Sequence, residues 1–258
     1  MTYQRDKRFA YFLYVPHSHK TEPRADGYPL VVLMHGTARQ VEGYRSAFVE
    51  FAEREQVIIL VPLFPVGVTT ALDVDEYKRM EHGGIRYDET LLGMVDEVST
   101  MYRVRGKKFL LHGFSGGGQF VHRFLYLHPE HLAGISIGAP GSVTLLDESR
   151  PWWVGVGGIT ERFGIKLDSK AIAAVPVLLV VGELDTDPAD VLIDRDEPVW
   201  MEGINDSGRT RRERITTLQR SLEAIGASTR LVVVPNVAHE GLKVFAPVIE
   251  FFSQQIRG

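Results

Sequence analysis

The chain of 258 residues contains no cysteine. Disulfides, zinc sites with thiolate ligands and a cysteine nucleophile are therefore excluded. Long apolar runs are also missing, because no stretch approaches the roughly 20 residues that a membrane-spanning helix needs. Neither sign of charge dominates, since 33 acidic and 29 basic residues leave a formal net charge of −4. This balance gives no electrostatic reason to expect nucleic acid or an anionic membrane as a partner.

The N-terminal region gives no sign of a secretory signal. Residues 1–8 are too polar for one, and the apolar run 9–15 is short and stops at Pro16, so it predicts a strand. We expect a cytoplasmic protein, although a mature form from which a signal had been removed would show the same pattern. A hydrophobic content of 44% with 24% charged residues is typical of a soluble globular protein.

Short β-branched runs alternate with amphipathic stretches along the chain. This alternation predicts an α/β fold, with a mostly parallel central sheet and helices on both faces. The predicted parallel strands are residues 30–34, 57–61, 108–112, 134–137, 177–181 and 230–234. The run 9–15 would add an antiparallel edge strand. An apolar period of about 3.6 residues predicts helices. They fall at residues 91–98, 119–128, 215–225 and 245–252.

No repeat or low-complexity linker divides the chain, which predicts a single domain over residues 1–258. The segments 141–172 and 186–208 fit this pattern poorly. Each follows a predicted strand, so in an open α/β sheet both would lie at the carboxyl edge, where ligands bind. We expect them to be active-site loops or a small cap.

The segment 113–117, Gly-Phe-Ser-Gly-Gly, matches the pattern G-x-S-x-G around Ser115. It joins a predicted strand to a predicted helix, as a nucleophile elbow does. Side chains at either end of so tight a turn would collide, which explains the two glycines. A second match surrounds Ser136, but it lies inside an apolar strand and is followed by Ala-Pro-Gly. Ser115 is therefore the predicted nucleophile, and Ser136 a small buried strand residue.

A serine hydroxyl is a poor nucleophile at neutral pH, so it needs a base within hydrogen-bond reach. His239 is the best candidate because it lies between the last predicted strand and the last predicted helix. His112 and His122 flank the elbow, but packing roles are expected on a strand end and a helix. Five further histidines have no motif around them and are expected to be solvated: His17, His19, His82, His128 and His131.

The base in turn needs an acceptor that fixes its tautomer and stabilises the imidazolium. Asp185 lies in the loop directly after a predicted strand. The resulting order of serine, aspartate and histidine is typical of α/β-hydrolases rather than of chymotrypsin or subtilisin. Asp187 and Asp190 are nearby rivals for this role, and Glu183 is a weaker one.

The remaining component is an oxyanion hole. One donor should be the N–H of Gly116, which follows the nucleophile, and the other the N–H of Thr37, in the loop after an early strand. Gly36 would permit the close approach, and His35 is expected to shape the loop rather than act as base. No cofactor is expected, and no His/Asp/Glu cluster has the spacing of metal ligands.

These residues resemble the α/β-hydrolase superfamily, and within it the polyhydroxybutyrate depolymerase and feruloyl esterase-like group. The likeness runs from about Pro29 to the end of the chain and includes residues 29–36, 57–62, 88–103, the elbow and 177–185. It implies a cofactor-free enzyme acting on esters of hydroxy or aromatic acids. It also implies the triad and oxyanion donors assigned above. Many members of this group are secreted and carry a cysteine where this chain has Thr37.

The sequence thus predicts a serine hydrolase that cleaves a small-molecule carboxylic ester through an acyl-enzyme. A peptidase or thioesterase with the same triad stays open, as does a non-catalytic ligand-binding protein on a hydrolase fold. Aromatic side chains are either substrate-binding or part of a loop core. They are Phe114, Trp152, Trp153, Phe163 and Trp200. The basic run 209–214 predicts the solvated start of a helix.

Overall fold

The computed structural model describes residues 1–189 and 191–258. Its strands are β1 Ala10–Tyr14, β2 Leu30–Met34, β3 Ile58–Leu63, β4 Glu81–His82, β5 Ile85–Arg86, β6 Phe109–Phe114, β7 Leu132–Gly138, β8 Val177–Gly182 and β9 Thr229–Val234. Its helices are α1 Ser18–Thr21, α2 Val41–Ala47, α3 Val49–Glu55, α4 Tyr87–Met101, α5 Gly116–Leu127, α6 Ile159–Phe163, α7 Ser169–Ala173, α8 Arg211–Ala224 and α9 Phe245–Arg257. Short 3₁₀ turns occupy Glu76–Arg79, Pro129–His131 and Gly241–Val244.

Seven strands form the central sheet in the order β1-β3-β2-β6-β7-β8-β9, and β4 and β5 pair separately. All neighbours in the central sheet are parallel except β1, which pairs antiparallel with β3. The strands β2 and β8 are buried along their whole length, as continuous apolar strands covered on both faces should be. The predicted α/β fold with its antiparallel edge strand is confirmed.

The four predicted helices are present as α4, α5, α8 and α9. Helix α8 begins where the Thr210 side chain accepts a hydrogen bond from the N–H of Glu213, as an N-cap residue does. Within the described part of the chain, no helix combines the length and apolar character that a bilayer crossing requires.

The prediction that the basic run 209–214 is solvated was wrong for two of its members. Arg211 is buried, and Arg214 has no exposed surface. The Arg214 guanidinium donates to the carbonyls of Gly208 and Gly141 and to the side-chain oxygen of Asn205. This arginine therefore fastens the loops after β7 and β8 to helix α8, which charge patterning alone does not reveal.

The two predicted cap segments follow β7 and β8, at the carboxyl edge of the sheet. Segment 141–172 contains α6 and the start of α7, and its Trp152 donates through Nε1 to the carbonyl of Arg79. The described residues of segment 186–208 contain no regular helix or strand. Their role as a cap, and the single-domain organisation, stay predictions.

Three histidines are fully buried and give the protein a predicted sensitivity to acid: His35, His112 and His122. Burial lowers the pKa of each to about 3. Because an unfolded histidine titrates near 6.5, the stability that these groups contribute is complete above that pH and is lost as the pH falls toward 3. Together they should lower the free energy of unfolding by about 4 kcal/mol per pH unit in this window.

Urea unfolding followed between about pH 6 and pH 4.5 measures this slope. The variant His112→Gln should remove about a third of it. His17→Gln, at a side chain that is 87% exposed, should change it much less. Equal slopes in the wild type and in His112→Gln would contradict the assignment of acid sensitivity to these buried histidines.

Candidate active site

Ser115 occupies the sharp turn between β6 and α5. Its backbone has φ 59° and ψ −118°, a conformation that costs a non-glycine residue free energy and that is found at nucleophile elbows. A Cβ at Gly113 would stand 2.3 Å from the carbonyl oxygen of Gly117, and one at Gly117 would stand 2.4 Å from that of Met34. The turn therefore has no room for side chains at its two glycines, as the sequence predicts.

His239 lies between Ser115 and Asp185. Its Nε2 is 2.9 Å from Ser115 Oγ, and its Nδ1 is 2.7 Å from Asp185 Oδ2. When Nδ1–H donates to the carboxylate, Nε2 is left with a lone pair that accepts the serine proton. The structure thus brings together the three residues that the sequence proposes as nucleophile, base and acid.

The loops that carry His239 and Asp185 follow neighbouring strands and pack closely on each other. Asp185 follows β8 and His239 follows β9. The N–H of Leu184 donates to the carbonyl of Val237, and a Cβ at Gly182 would stand 2.3 Å from the same oxygen. Backbone contact therefore fixes the distance between these two loops.

The rival acids have other partners. Glu183 accepts a hydrogen bond from the N–H of Asn236, and the exposed Asp187 accepts one from the N–H of Ala189. Asp190 lies outside the described residues. The Asp185 side chain is 1% exposed and is the carboxylate that His239 meets. The geometry therefore favours Asp185.

The predicted oxyanion loop lies against the elbow. A Cβ at Gly36 would stand 3.1 Å from the carbonyl oxygen of Phe114 and 3.5 Å from Ser115 Cβ. Gly116 is the first residue of α5, where an N–H has no acceptor inside the helix. Among the described residues, no acceptor is found for the N–H of Thr37. Within the described part of the chain, two backbone N–H groups near the serine are thus available to an anion, as their predicted role requires.

His35 holds this loop in place through both of its ring nitrogens. The N–H of Phe64 donates to its Nε2 at 3.1 Å, and its Nδ1 is 2.8 Å from the carbonyl oxygen of Gly36. Its low pKa, caused by burial, keeps the ring neutral. Arg39 donates to the carbonyl of Thr37, which supports the loop from the other side. The expectation that His35 shapes the loop is confirmed.

No family model matches the sequence, and no curated protein matches it either. Solved structures do match. A poly(3-hydroxybutyrate) depolymerase from Bordetella parapertussis superposes with a TM-score of 0.73 at 20% identity, covering 95% of this chain and 84% of that one. Poly(aspartic acid) hydrolase-1 from Sphingomonas sp. KT-1 gives 0.70 at 20% identity over 97% and 94% of the two chains.

A third match is Est1E from Butyrivibrio proteoclasticus, solved with ferulic acid bound. Its TM-score is 0.56 at 18% identity, over 97% of this chain and 96% of that one. The chain has the α/β-hydrolase fold. The resemblance seen in the sequence is therefore confirmed at the level of fold, and the structural neighbours include a poly(3-hydroxybutyrate) depolymerase and a ferulic acid esterase.

The second serine motif has a structural role in this α/β-hydrolase fold. Ser136 is fully buried in β7, with its Oγ 3.0 Å from Nδ1 of the buried His112. The other flanking histidine, His122, accepts a hydrogen bond at Nε2 from the N–H of Thr144. The interpretation of these three residues as packing residues is confirmed.

The candidate substrate-binding aromatics are in different surroundings. Phe114 is buried, and its ring centroid lies 4.8 Å from that of His239. Trp152 is buried and packs edge-on against Phe163. Trp153 lies under the Arg79 guanidinium, and Trp200 under that of Arg195. Phe114 therefore supports the base and Trp152 belongs to the core. Substrate contacts of all four stay predictions.

Two cations beside the site were missed by sequence reasoning. Arg211 places Nη1 3.5 Å from Asp185 Oδ1, and both side chains are almost completely buried. Lys78 is also buried, and its Cε lies against Gly116. Both belong to charge-rich segments, which ordinarily predict solvated surface.

The fold brings together two clusters of residue types that can bind metal ions, and their spacing in the sequence did not predict them. They are Asp73 with Glu76 and His82, and His128 with Glu130 and His131. Their groups already have partners. Glu76 accepts N–H groups of residues 68–70 and the Tyr87 hydroxyl, and these hydrogen bonds lower its pKa to about 2 although burial opposes them. His128 Nε2 is 2.8 Å from Asp88. These bonds account for both clusters as structural elements.

Proposed function

We propose that this protein is a serine hydrolase that cleaves carboxylic esters through an acyl-enzyme. The observation that carries the proposal is the continuous hydrogen-bonded chain from Ser115 through His239 to Asp185, with distances of 2.9 and 2.7 Å. A binding protein has no need of a strained serine held against a base. The esterases and the depolymerase among proteins of the same fold support ester hydrolysis in general.

In the first half-reaction, Ser115 Oγ attacks the ester carbonyl as His239 Nε2 takes its proton. Asp185 stabilises the imidazolium that results. The carbonyl oxygen becomes negatively charged in the tetrahedral intermediate, and the N–H groups of Gly116 and Thr37 donate to it. His239 then protonates the leaving alkoxide, the ester bond breaks, and the acyl group stays on the serine.

In the second half-reaction, His239 takes a proton from water, whose oxygen attacks the acyl-enzyme. The same two N–H groups hold the second oxyanion. Collapse of this intermediate releases the carboxylic acid and returns the proton to Ser115. Every proton transfer uses Nε2, because Nδ1 stays bonded to Asp185 throughout.

Labelling with a fluorophosphonate tests the nucleophile without knowledge of the natural substrate. We expect one phosphonylated peptide, containing Ser115, in the wild type, and none in His239→Ala. Ser136→Ala, which alters the second G-x-S-x-G match, is the matched control and should still be labelled. A folded wild type that takes up no label, or takes it up elsewhere, would rule out the proposal.

The ester preference is tested separately, by comparing kcat/KM on matched ester, thioester and amide substrates with a common acyl group. The ester should be the fastest of the three. A higher value for the amide or the thioester would retain the proposed triad and replace the substrate class with that of a peptidase or a thioesterase.

A further inference from the structure

Lys78 occupies the space that a side chain at position 116 would fill. It belongs to the 3₁₀ turn Glu76–Arg79, and its side chain is only 8% exposed. A Cβ on Gly116 would stand 2.6 Å from Lys78 Cε, 2.6 Å from the Tyr77 hydroxyl oxygen and 3.0 Å from Thr37 Oγ1. The lysine therefore passes directly beside Gly116, which supplies one of the proposed oxyanion donors, and Thr37, which supplies the other, borders the same space.

The charges around this lysine do not balance. Its ammonium pairs with Asp75, whose side chain is 39% exposed. Arg39 and Arg123 also lie close enough to repel it. Among the described residues, these two arginines donate to carbonyl and hydroxyl oxygens and have no carboxylate partner. Three cations thus face one carboxylate.

This positive charge is held away from water. Arg123 is fully buried, and burial lowers its pKa to about 9. Burial also lowers the pKa of Lys78, chiefly by desolvation, and Asp75 opposes the change. Removing cations from water costs free energy unless an anion compensates them. An anion that forms nearby, in a medium of low dielectric constant, recovers part of that free energy.

We infer that Lys78 is an electrostatic component of the oxyanion site, which stabilises the tetrahedral intermediate formed on Ser115. The inference rests on the proposed function. The lysine keeps its proton throughout, and no bond to it forms or breaks. Its ammonium adds positive charge behind the N–H donors, so that its effect is largest when the carbonyl oxygen is negatively charged.

The test compares wild type with Lys78→Met, which keeps an unbranched side chain as far as Cε and removes the ammonium group. On p-nitrophenyl acetate, kcat should fall about 10- to 100-fold while KM changes less than about twofold. Affinity for phenylboronic acid, which binds an active serine as a tetrahedral anion, should fall by a similar factor. Lys78→Arg should regain part of the loss, and Lys166→Met, at an exposed lysine, should change nothing.

Three results would overturn the inference. One is an unchanged kcat in a folded Lys78→Met, as judged by circular dichroism and by labelling at Ser115. Another is a loss of kcat that Lys78→Arg does not restore, together with a lower unfolding temperature of both variants. This combination would indicate a packing role. The third is a rise in KM confined to a carboxylated ester such as mono-p-nitrophenyl succinate, which would assign Lys78 to a carboxylate on the substrate. Wild type without esterase activity or label would refute the proposed function itself.

Discussion

Replacing Ser115 by alanine should lower kcat for ester hydrolysis by about 10⁶-fold, because the attacking oxygen is lost and, among the described residues, His239 is hydrogen-bonded to no other hydroxyl. The fold should persist. Serine and alanine meet the same steric penalty at φ 59°, and the described hydrogen bonds of the Ser115 side chain involve His239 alone. Turnover of p-nitrophenyl acetate and thermal unfolding measure the two effects.

Ser136→Ala is the matched control for this experiment, since it removes the serine of the other motif match and leaves the elbow intact. It should lower stability through the lost contact with His112 and leave kcat close to the wild-type value. A Ser115→Ala protein that retained more than about one percent of wild-type kcat would show that the hydrolysis does not proceed through this serine.

Asp185→Asn should lower kcat by about 10⁴-fold while the site keeps its shape. An asparagine can present its NH₂ group to Nδ1 and so favour the tautomer that carries its proton on Nε2. That tautomer cannot accept the proton of Ser115. The change also removes the carboxylate charge 3.5 Å from the buried Arg211, so a modest loss of stability should accompany the loss of rate.

Asp187→Asn provides the comparison, because Asp187 lies two residues further along the same loop, is exposed and caps the N–H of Ala189. Its kcat should stay within about twofold of the wild type. If Asp187→Asn lost activity and Asp185→Asn did not, the acid would have been assigned to the wrong carboxylate.

The parts of this structure that the sequence predicted are those that a local pattern determines. Continuous apolar runs predict buried parallel strands, and the strand–turn–helix context separates Ser115 from Ser136. Asp185 and His239 were inferred because each follows a strand at the edge where parallel strands end. In all of these cases, chain order and the geometry of a parallel sheet together restrict where a side chain can be.

The cations around the site were not predictable in this way. Arg123 and Arg214 are held by carbonyl and hydroxyl oxygens of residues distant in sequence, and no local pattern identifies such acceptors. Lys78 pairs with the nearby Asp75, but its burial depends on packing against Gly116 and cannot be read from the segment itself. A basic residue in a polar segment ordinarily predicts solvent exposure. Only the folded chain shows that these side chains are buried, and so only the fold suggests their influence on the site.

The bond between His239 and Ser115 joins residues that are 124 positions apart in the chain. We expect such a contact to form late during folding, because closing a long loop must precede it. The rate at which labelling by the fluorophosphonate recovers should therefore report when β9 and its loop reach their native position. During refolding from urea, helical circular dichroism should recover first, and labelling of Ser115 should follow as the slower phase.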